Sequence, residues 1–160
     1  MATPAQRAHA GAIMDFLVAH EPLVHYKQIR PMPTRTLLEQ QLADLFAAKK
    51  TITMDCSESV TLICRLAGLD DPNGNGYNGR GFTGTLLDNL KHYTSPLAAD
   101  VGALVVFGPG TGDHVCMVRK RGRDPLLFSH GMERGPFYVH LSDERRVQKP
   151  PVTFLSIKKL

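Results

Sequence analysis

One cysteine of this chain lies where a helix is predicted to begin, in the run Met54-Asp55-Cys56-Ser57-Glu58. Asp55 and Glu58, three positions apart, form a variant of the capping box that marks a helix N-terminus, so Cys56 is predicted to be the first helical residue. Backbone amides and the helix dipole favour a negative sulfur there, and we expect a thiol that ionises more easily than a free one. A thiolate beside an imidazole is the nucleophile of acyl-transfer chemistry.

Two histidines downstream are predicted to lie at the ends of neighbouring strands. His114 opens the run His114-Val115-Cys116-Met117-Val118 after a glycine-rich turn, and His130 ends the next apolar run, in Phe128-Ser129-His130-Gly131. In an antiparallel pair the start of one strand lies beside the end of the next, so both imidazoles are expected at one sheet edge. The expected site then contains Cys56 as nucleophile, His114 as base and His130 as the group that orients His114.

The other two cysteines have less specific predictions. The chain has 3 cysteines, and an odd number excludes complete disulfide pairing. Cys64 is predicted to be a core residue. Cys116 alternates onto the strand face of His114, so it is expected to line the site or to join His114 and Cys56 as a set of metal ligands. Because no CxxC pair anchors such a set, we expect no metal and no other cofactor.

The elements that must position these residues divide the chain into a helical part and a β-rich part. Helices are predicted from Thr3-Pro4 onward, over 34–49, from Cys56 to Gly68 and over 83–90, and β-type runs follow Ser95. This order predicts an α+β fold, with N-terminal helices and the nucleophile helix packed on an antiparallel sheet of about five strands. We expect one domain over 1–160, with a helical part at 1–50 and the catalytic core at 51–160.

Charge and composition limit the partners. The net charge of +4 favours anionic partners, among them nucleic acid, lipid headgroups and acidic wall polymers. The chain has no Trp and only 7% aromatic residues, so it lacks a basic aromatic surface for stacking bases and we expect no nucleic-acid partner. We recognise no signal peptide and no membrane span. We therefore expect the chain to be made in the cytoplasm. We also expect it to be a monomer.

Together these motifs resemble the NlpC-type cell-wall peptidases, a papain-like group of cysteine hydrolases. The resemblance rests on Asp55-Cys56-Ser57 at a helix start, on residues 102–107, on residues 114–118, and on His130 after an apolar strand. It covers about residues 26–160 and is closest to domains of bacteriophages that infect actinobacteria. It implies a papain-like fold and cleavage of an amide bond in peptidoglycan stem peptides, often between D-glutamyl and diamino-acid residues.

The resemblance also implies roles for individual residues. Cys56 would be the nucleophile, His114 the general base and then acid, and His130 the polar group that orients His114. A tyrosine upstream of the cysteine usually helps to bind the oxyanion in this family. Tyr26 is the candidate, and the helix predicted over 34–49 would have to be inserted between Tyr26 and Cys56.

Asp55 and Ser57 complete the implied oxyanion and substrate set, and the Cys56 amide is a further oxyanion donor. The chain departs from the family pattern at two places. Glu58 replaces the usual Gly after the Asp-Cys-Ser motif, and Val101-Gly102-Ala103 replaces Pro-Gly-Asp before the first core strand. Glu58 is expected to bring negative charge one turn from the sulfur and so to raise the thiol pKa.

The expected function is therefore that of a cysteine peptidase or amidase acting on peptidoglycan. Such an enzyme would be a phage lysin or a tail-associated hydrolase, and it would reach the wall after release or as part of a virion. Two alternatives stay open. One is a non-catalytic wall-binding or phage structural module with the same fold, and the other is a thiol acyltransferase. Basic residues at 119–123 are expected to form a solvated turn or to contact anionic wall polymers.

Overall fold

The computed structural model describes residues 2–93, 95–132 and 134–159, and it describes the backbone alone for 158 and 159. The α-helices are α1 Pro4–Ala19, α2 Glu39–Ala47, α3 Cys56–Leu66, α4 Thr83–Asn89 and α5 Leu141–Val147. The strands are β1 Val24–His25, β2 Ile52–Thr53, β3 Leu90–Tyr93, β4 Leu104–Phe107, β5 His114–Lys120, β6 Leu126–Ser129, β7 Phe137–His140 and β8 Val152–Lys159. None of the helices described is long and apolar enough to cross a membrane.

The main sheet has six antiparallel strands in the order β3-β8-β4-β5-β6-β7. The predicted α+β class and antiparallel sheet are thus confirmed. The sheet has one strand more than the five expected, because the chain leaves α4 directly as β3 and pairs with β8. That segment carries Leu90, which is fully buried and was predicted to end a helix.

The sheet buries both of its faces, and the alternation of side chains along β5 divides them. Val115 and Met117 belong to the larger core cluster, which includes the apolar residues of α1 and α3. Cys116 and Val118 belong to the second cluster, which contains Leu141 of α5. His114, two positions before Cys116, is on the α5 face by the same alternation.

Two helix starts lie where the sequence predicts them, although at α3 the Glu58 side chain does not make the reciprocal bond of the capping box. Thr3 caps α1, and the Asp55 carboxylate accepts a hydrogen bond from the Glu58 amide at 2.8 Å, so α3 begins at Cys56. The helix predicted over 34–49 is instead a 3-10 turn at Pro33–Thr36 followed by α2. Arg65 of α3 explains the break, because its guanidinium binds the carbonyls of Thr34 and Leu37, which a continuous helix would use internally.

A small parallel sheet brings the N-terminal segment to the start of α3. Strand β1 pairs with β2, with Val24 opposite Ile52 and His25 opposite Thr53. The Met54 amide continues the ladder by donating to the His25 carbonyl at 3.0 Å. The chain between these strands, α2 included, is therefore a crossover, and Tyr26 emerges next to the residues that precede Cys56.

Candidate active site

Cys56 lies at the N-terminus of α3 and is only 5% exposed. Its thiol receives hydrogen bonds from the backbone amides of Val115 and Ser57 and from the Tyr26 hydroxyl, and each of them lowers its pKa. Burial is the larger influence, so the pKa of the Cys56 thiol is raised. The expectation of a more acidic thiol is therefore wrong: the amides are in place, but desolvation of the sulfur outweighs them.

Asp55 and Ser57 are held by an arginine that no motif had marked. Arg30 donates through Nη2 to Asp55 Oδ2 at 2.8 Å and to Ser57 Oγ at 2.9 Å, and through Nε to the Gly81 carbonyl at 2.9 Å. The Ser57 hydroxyl also donates to Asp55 Oδ1 at 3.1 Å. These bonds fix the first turn of α3, so Asp55 and Ser57 both have hydrogen-bond partners within the protein. Their expected contact with substrate stays a prediction.

Tyr26 is brought to the thiol although it lies 30 positions before Cys56 (56 − 26). The β1–β2 pairing accounts for this, because it places Tyr26 level with Met54. Burial raises the pKa of Tyr26 to about 12, so its hydroxyl keeps its proton and can donate at neutral pH. Its ring lies 5.4 Å from the His130 ring, centroid to centroid. The inserted helix that the family resemblance required is thus present as the crossover through α2.

His114 begins β5 with its imidazole buried on the α5 face. Its ring stacks on Phe107 at 6.3 Å between centroids, and its Nε2 lies 2.9 Å from Ser129 Oγ and 3.5 Å from Glu144 Oε1. Because a carboxylate only accepts, Glu144 favours the tautomer with the proton on Nε2. Burial, with a smaller contribution from the His130 charge, lowers the pKa of His114 to about 4. The ring is therefore neutral at neutral pH, as a general base must be.

His130 does not make the orienting contact that we expected of it. Its Nε2 donates to the carbonyls of Met54 at 2.9 Å and His25 at 3.2 Å, so it connects the sheet edge to the β1–β2 pair. Cys116 is opposite Ser129 in the ladder. Ser129 therefore shares the face of His114, whereas His130, one position on, is on the α3 face. Sequence reasoning missed Ser129 because only the register identifies it.

Cys56 and His114 open onto two adjoining cavities. One, of about 420 Å³, is lined by Cys56, and the other, of about 630 Å³, is lined by His114 and Tyr26. Gln28 and Asp113 line both. Within the part of the chain described, no hydrogen bond joins the thiol to the imidazole, and the nearest link is the bond from the Val115 amide, one residue after His114. The nucleophile and base candidates thus line neighbouring cavities, which together form the cleft, and no hydrogen bond among the described residues joins them.

Models of known protein families, curated proteins and solved structures all fail to match the chain. The resemblance to the NlpC-type peptidases therefore stays a prediction.

Glu58 does not put the expected negative charge beside the thiol. Its side chain is only 1% exposed. Burial raises the pKa of Glu58 to about 8, although the Thr34 hydroxyl and the Arg30 charge pull it down. The carboxyl is therefore mostly protonated at neutral pH, and the raised pKa of Cys56 has its own burial as the main cause.

Glu58→Gln is expected to stabilise the protein, and the gain should grow with pH. The folded pKa of about 8 lies above the ordinary 4.5, so the native state loses stability as pH rises between these values. The loss is on the order of 3–5 kcal/mol. The glutamine side chain of the variant carries no charge and escapes this loss. Urea denaturation at pH 5, 6.5 and 8 would measure the difference, with the exposed Glu21→Gln as control. A difference that is constant across pH would contradict the buried protonated carboxyl.

Proposed function

We propose that this protein is a cysteine hydrolase that cleaves an amide bond in peptidoglycan stem peptides, with papain-like use of a helix-borne cysteine and a strand-borne histidine. The observation that carries the proposal is the meeting of Tyr26 with Cys56 through the β1–β2 pair. Acyl transfer requires a thiol that is open to a cleft and has hydrogen-bond donors beside it. Here the donors are a hydroxyl and a backbone amide.

The geometry supports a division of labour between the two nitrogens of His114. Its Nε2 is bound to Ser129, so Nδ1 is the nitrogen proposed to take the proton of the Cys56 thiol, with which the ring makes no hydrogen bond in the structure described. The thiolate attacks the amide carbonyl, and the Tyr26 hydroxyl and the Cys56 amide donate to the oxyanion. His114 returns its proton to the departing amine. It then deprotonates a water, which attacks the thioester, frees the carboxylate and leaves the Cys56 thiol reprotonated.

The resting site differs from a thiolate–imidazolium pair. The pKa of Cys56 is raised and that of His114 is lowered to about 4, both chiefly by burial. Both groups are therefore neutral at neutral pH, and the proton moves as the carbonyl is attacked. The scheme thus needs a substrate that fills the cleft and approaches the sulfur closely.

The cleft carries a positive side chain suited to the carboxylates of stem peptides. Arg134 lines the cavity of His114, and its guanidinium lies 4.4 Å from the centroid of the Phe137 ring. A guanidinium held on an aromatic face presents its N–H groups at the ring edge, where they can bind a carboxylate. The net charge of +4 also favours an acidic wall polymer.

Mass spectrometry of muropeptides tests the proposal. Purified actinobacterial wall is digested with the protein, and released fragments and new amino groups are compared with an undigested sample. We expect one amide bond of the stem peptide to be cut, with one new amine for each cut. Intact muropeptides after long digestion with folded protein would contradict the proposal.

Ser129→Ala is expected to slow hydrolysis about 10- to 100-fold, because the His114 ring loses the hydroxyl that fixes its orientation. The fall should appear in kcat and not in KM, since Ser129 is not proposed to bind substrate before the reaction. The matched control is Ser142→Ala, which removes a hydroxyl bonded to Asp124 on the surface. Equal rates for both variants would show that Ser129 does not orient the base.

A non-catalytic wall-binding module is the second candidate. Two observations favour it: the 5% exposure of Cys56 and the raised pKa of its thiol. The same digestion separates the two candidates. A binding module would be retained on purified wall and would release no new amino groups, whereas a hydrolase would release them.

A further inference from the structure

Three buried side chains of different chemistry converge on the α5 face of the sheet. A ring nitrogen of His114, Cys116 Sγ and a Glu144 carboxylate oxygen all lie within 4.8 Å of one another. Nε2 and Oε1 are 3.5 Å apart. Cys116 is completely buried, Glu144 is 4% exposed and His114 is 6% exposed. A glutamate is almost never buried this deeply without a partner.

The fold itself enforces this convergence. His114 and Cys116 are two positions apart on β5 and therefore point to the same face. Strand β7 leads directly into α5, whose first turns carry Glu144 over that face. The side-chain Nε2 of Gln148, one turn later, donates to Glu144 Oε1 at 2.9 Å and holds the carboxylate in place. Side chains from a strand and a separate helix thus meet at one point.

We propose that His114, Cys116 and Glu144 form a binding site for Zn²⁺. Zinc binds imidazole, thiolate and carboxylate alike, at about 2.0–2.3 Å, which separates tetrahedral ligand atoms by about 3.3–3.8 Å. Nε2 and Oε1 are already at that spacing, and the separations to Cys116 Sγ are at most 4.8 Å. His114 and Glu144 line a cavity, from which a water can complete the tetrahedron.

Charge and protons balance in this site. Zn²⁺ displaces the Cys116 proton to solvent, so thiolate and carboxylate together neutralise the ion in a buried setting. The imidazole stays neutral, with its proton moving from Nε2 to Nδ1 as the metal takes the Nε2 lone pair. Ser129 then gives up its bond to Nε2. Cys56 takes no part, because its sulfur is not among the clustered ligand atoms. The sequence had instead suggested Cys56, His114 and Cys116 as the possible metal ligands.

A consequence for catalysis rests on the proposed function. Nδ1 is the nitrogen that would accept the thiol proton, and the metal leaves it protonated. Zinc at this site therefore blocks the base without touching the nucleophile. The site would act as a reversible inhibitory switch on the hydrolase.

Titration with Co²⁺ tests the site independently of activity, because a cobalt–thiolate bond gives a charge-transfer absorption in the near ultraviolet. In chelator-treated protein we expect this band for the wild type and for Cys56→Ala, and its loss in Cys116→Ser. Glu144→Gln keeps the side-chain volume and should bind Co²⁺ at least about tenfold more weakly. The control Asp143→Asn, on the exposed side of α5, should bind as the wild type does. No band in the wild type, or a band lost in Cys56→Ala and kept in Cys116→Ser, would overturn the site.

Inhibition is measured on the wall substrate with Zn²⁺ alone, each variant being compared with its own rate in chelator. We expect Cys116→Ser and Glu144→Gln to need at least about tenfold more Zn²⁺ than the wild type for half-inhibition. Equal sensitivity in all three would overturn the switch, because the metal would then act at Cys56. A wild type that is inactive in chelator would refute the proposed function, and the Co²⁺ result would still decide the metal site.

Discussion

Cys56→Ala is expected to abolish amide hydrolysis, with a fall in kcat of at least about 10³-fold. The change removes the sulfur and leaves the cap of α3 in place, because Asp55 makes its bonds through its own side chain to the Glu58 amide and to Arg30. Alanine is also a good helix former. The variant should therefore fold, which circular dichroism would confirm, and it should release no new amino groups from purified wall.

Cys64→Ala is the matched control on the same helix. Cys64 is completely buried and belongs to the apolar core beside α3, so its loss should cost about 1–2 kcal/mol of stability and leave the hydrolytic rate unchanged. Iodoacetamide should label Cys56, which lines a cavity, before Cys64. Full hydrolysis by Cys56→Ala, or equally slow labelling of the two thiols in the native protein, would contradict the assignment of the nucleophile.

Local signals in the sequence predicted the elements that carry the site. The start of α3 at Cys56 follows from the acid before it and the amide three positions on, which interact within one turn. The start of β5 at His114 follows from the glycine-rich turn, where Gly112 has φ +79° and a Cβ would meet the Val106 side chain. Both predictions needed only residues close in sequence, and the structure confirms both.

The assignment of faces needed the register of the sheet, which no local pattern contains. His130 was expected to contact His114, yet the pairing of Cys116 with Ser129 gives that contact to Ser129. A shift of one residue along a strand moves every side chain to the other face. The position of Glu144 beside His114 likewise depends on how α5 packs after β7.

Burial is the other quantity that the sequence concealed. The helix dipole favours a charged sulfur at Cys56, and a glutamate next to a thiol is expected to be charged. In the folded chain both groups are desolvated, so the pKa of Cys56 is raised and that of Glu58 rises to about 8. The direction of a pKa shift at a partly exposed helix start is set by local dipoles, whereas at a buried one desolvation decides it.

Tyr26→Phe is expected to lower kcat about 100-fold with little change in KM, because the lost hydroxyl is proposed to donate to the oxyanion, which exists only after attack. The phenyl ring keeps the contact with His130, so the packing is retained. The same hydroxyl lowers the pKa of the Cys56 thiol. Iodoacetamide should therefore label Cys56 more slowly at a given pH in the variant than in the wild type.

The two readouts separate a catalytic hydroxyl from a structural one. Tyr77→Phe is the matched control, since its hydroxyl donates to the Leu69 carbonyl at 2.8 Å in a loop away from the cleft. It should cost about 1 kcal/mol of stability and change neither kcat nor the labelling rate. Slower labelling with unchanged kcat in Tyr26→Phe would mean that Tyr26 tunes the thiol and does not bind the oxyanion. A rise in KM alone would mean that it binds the substrate before the reaction begins.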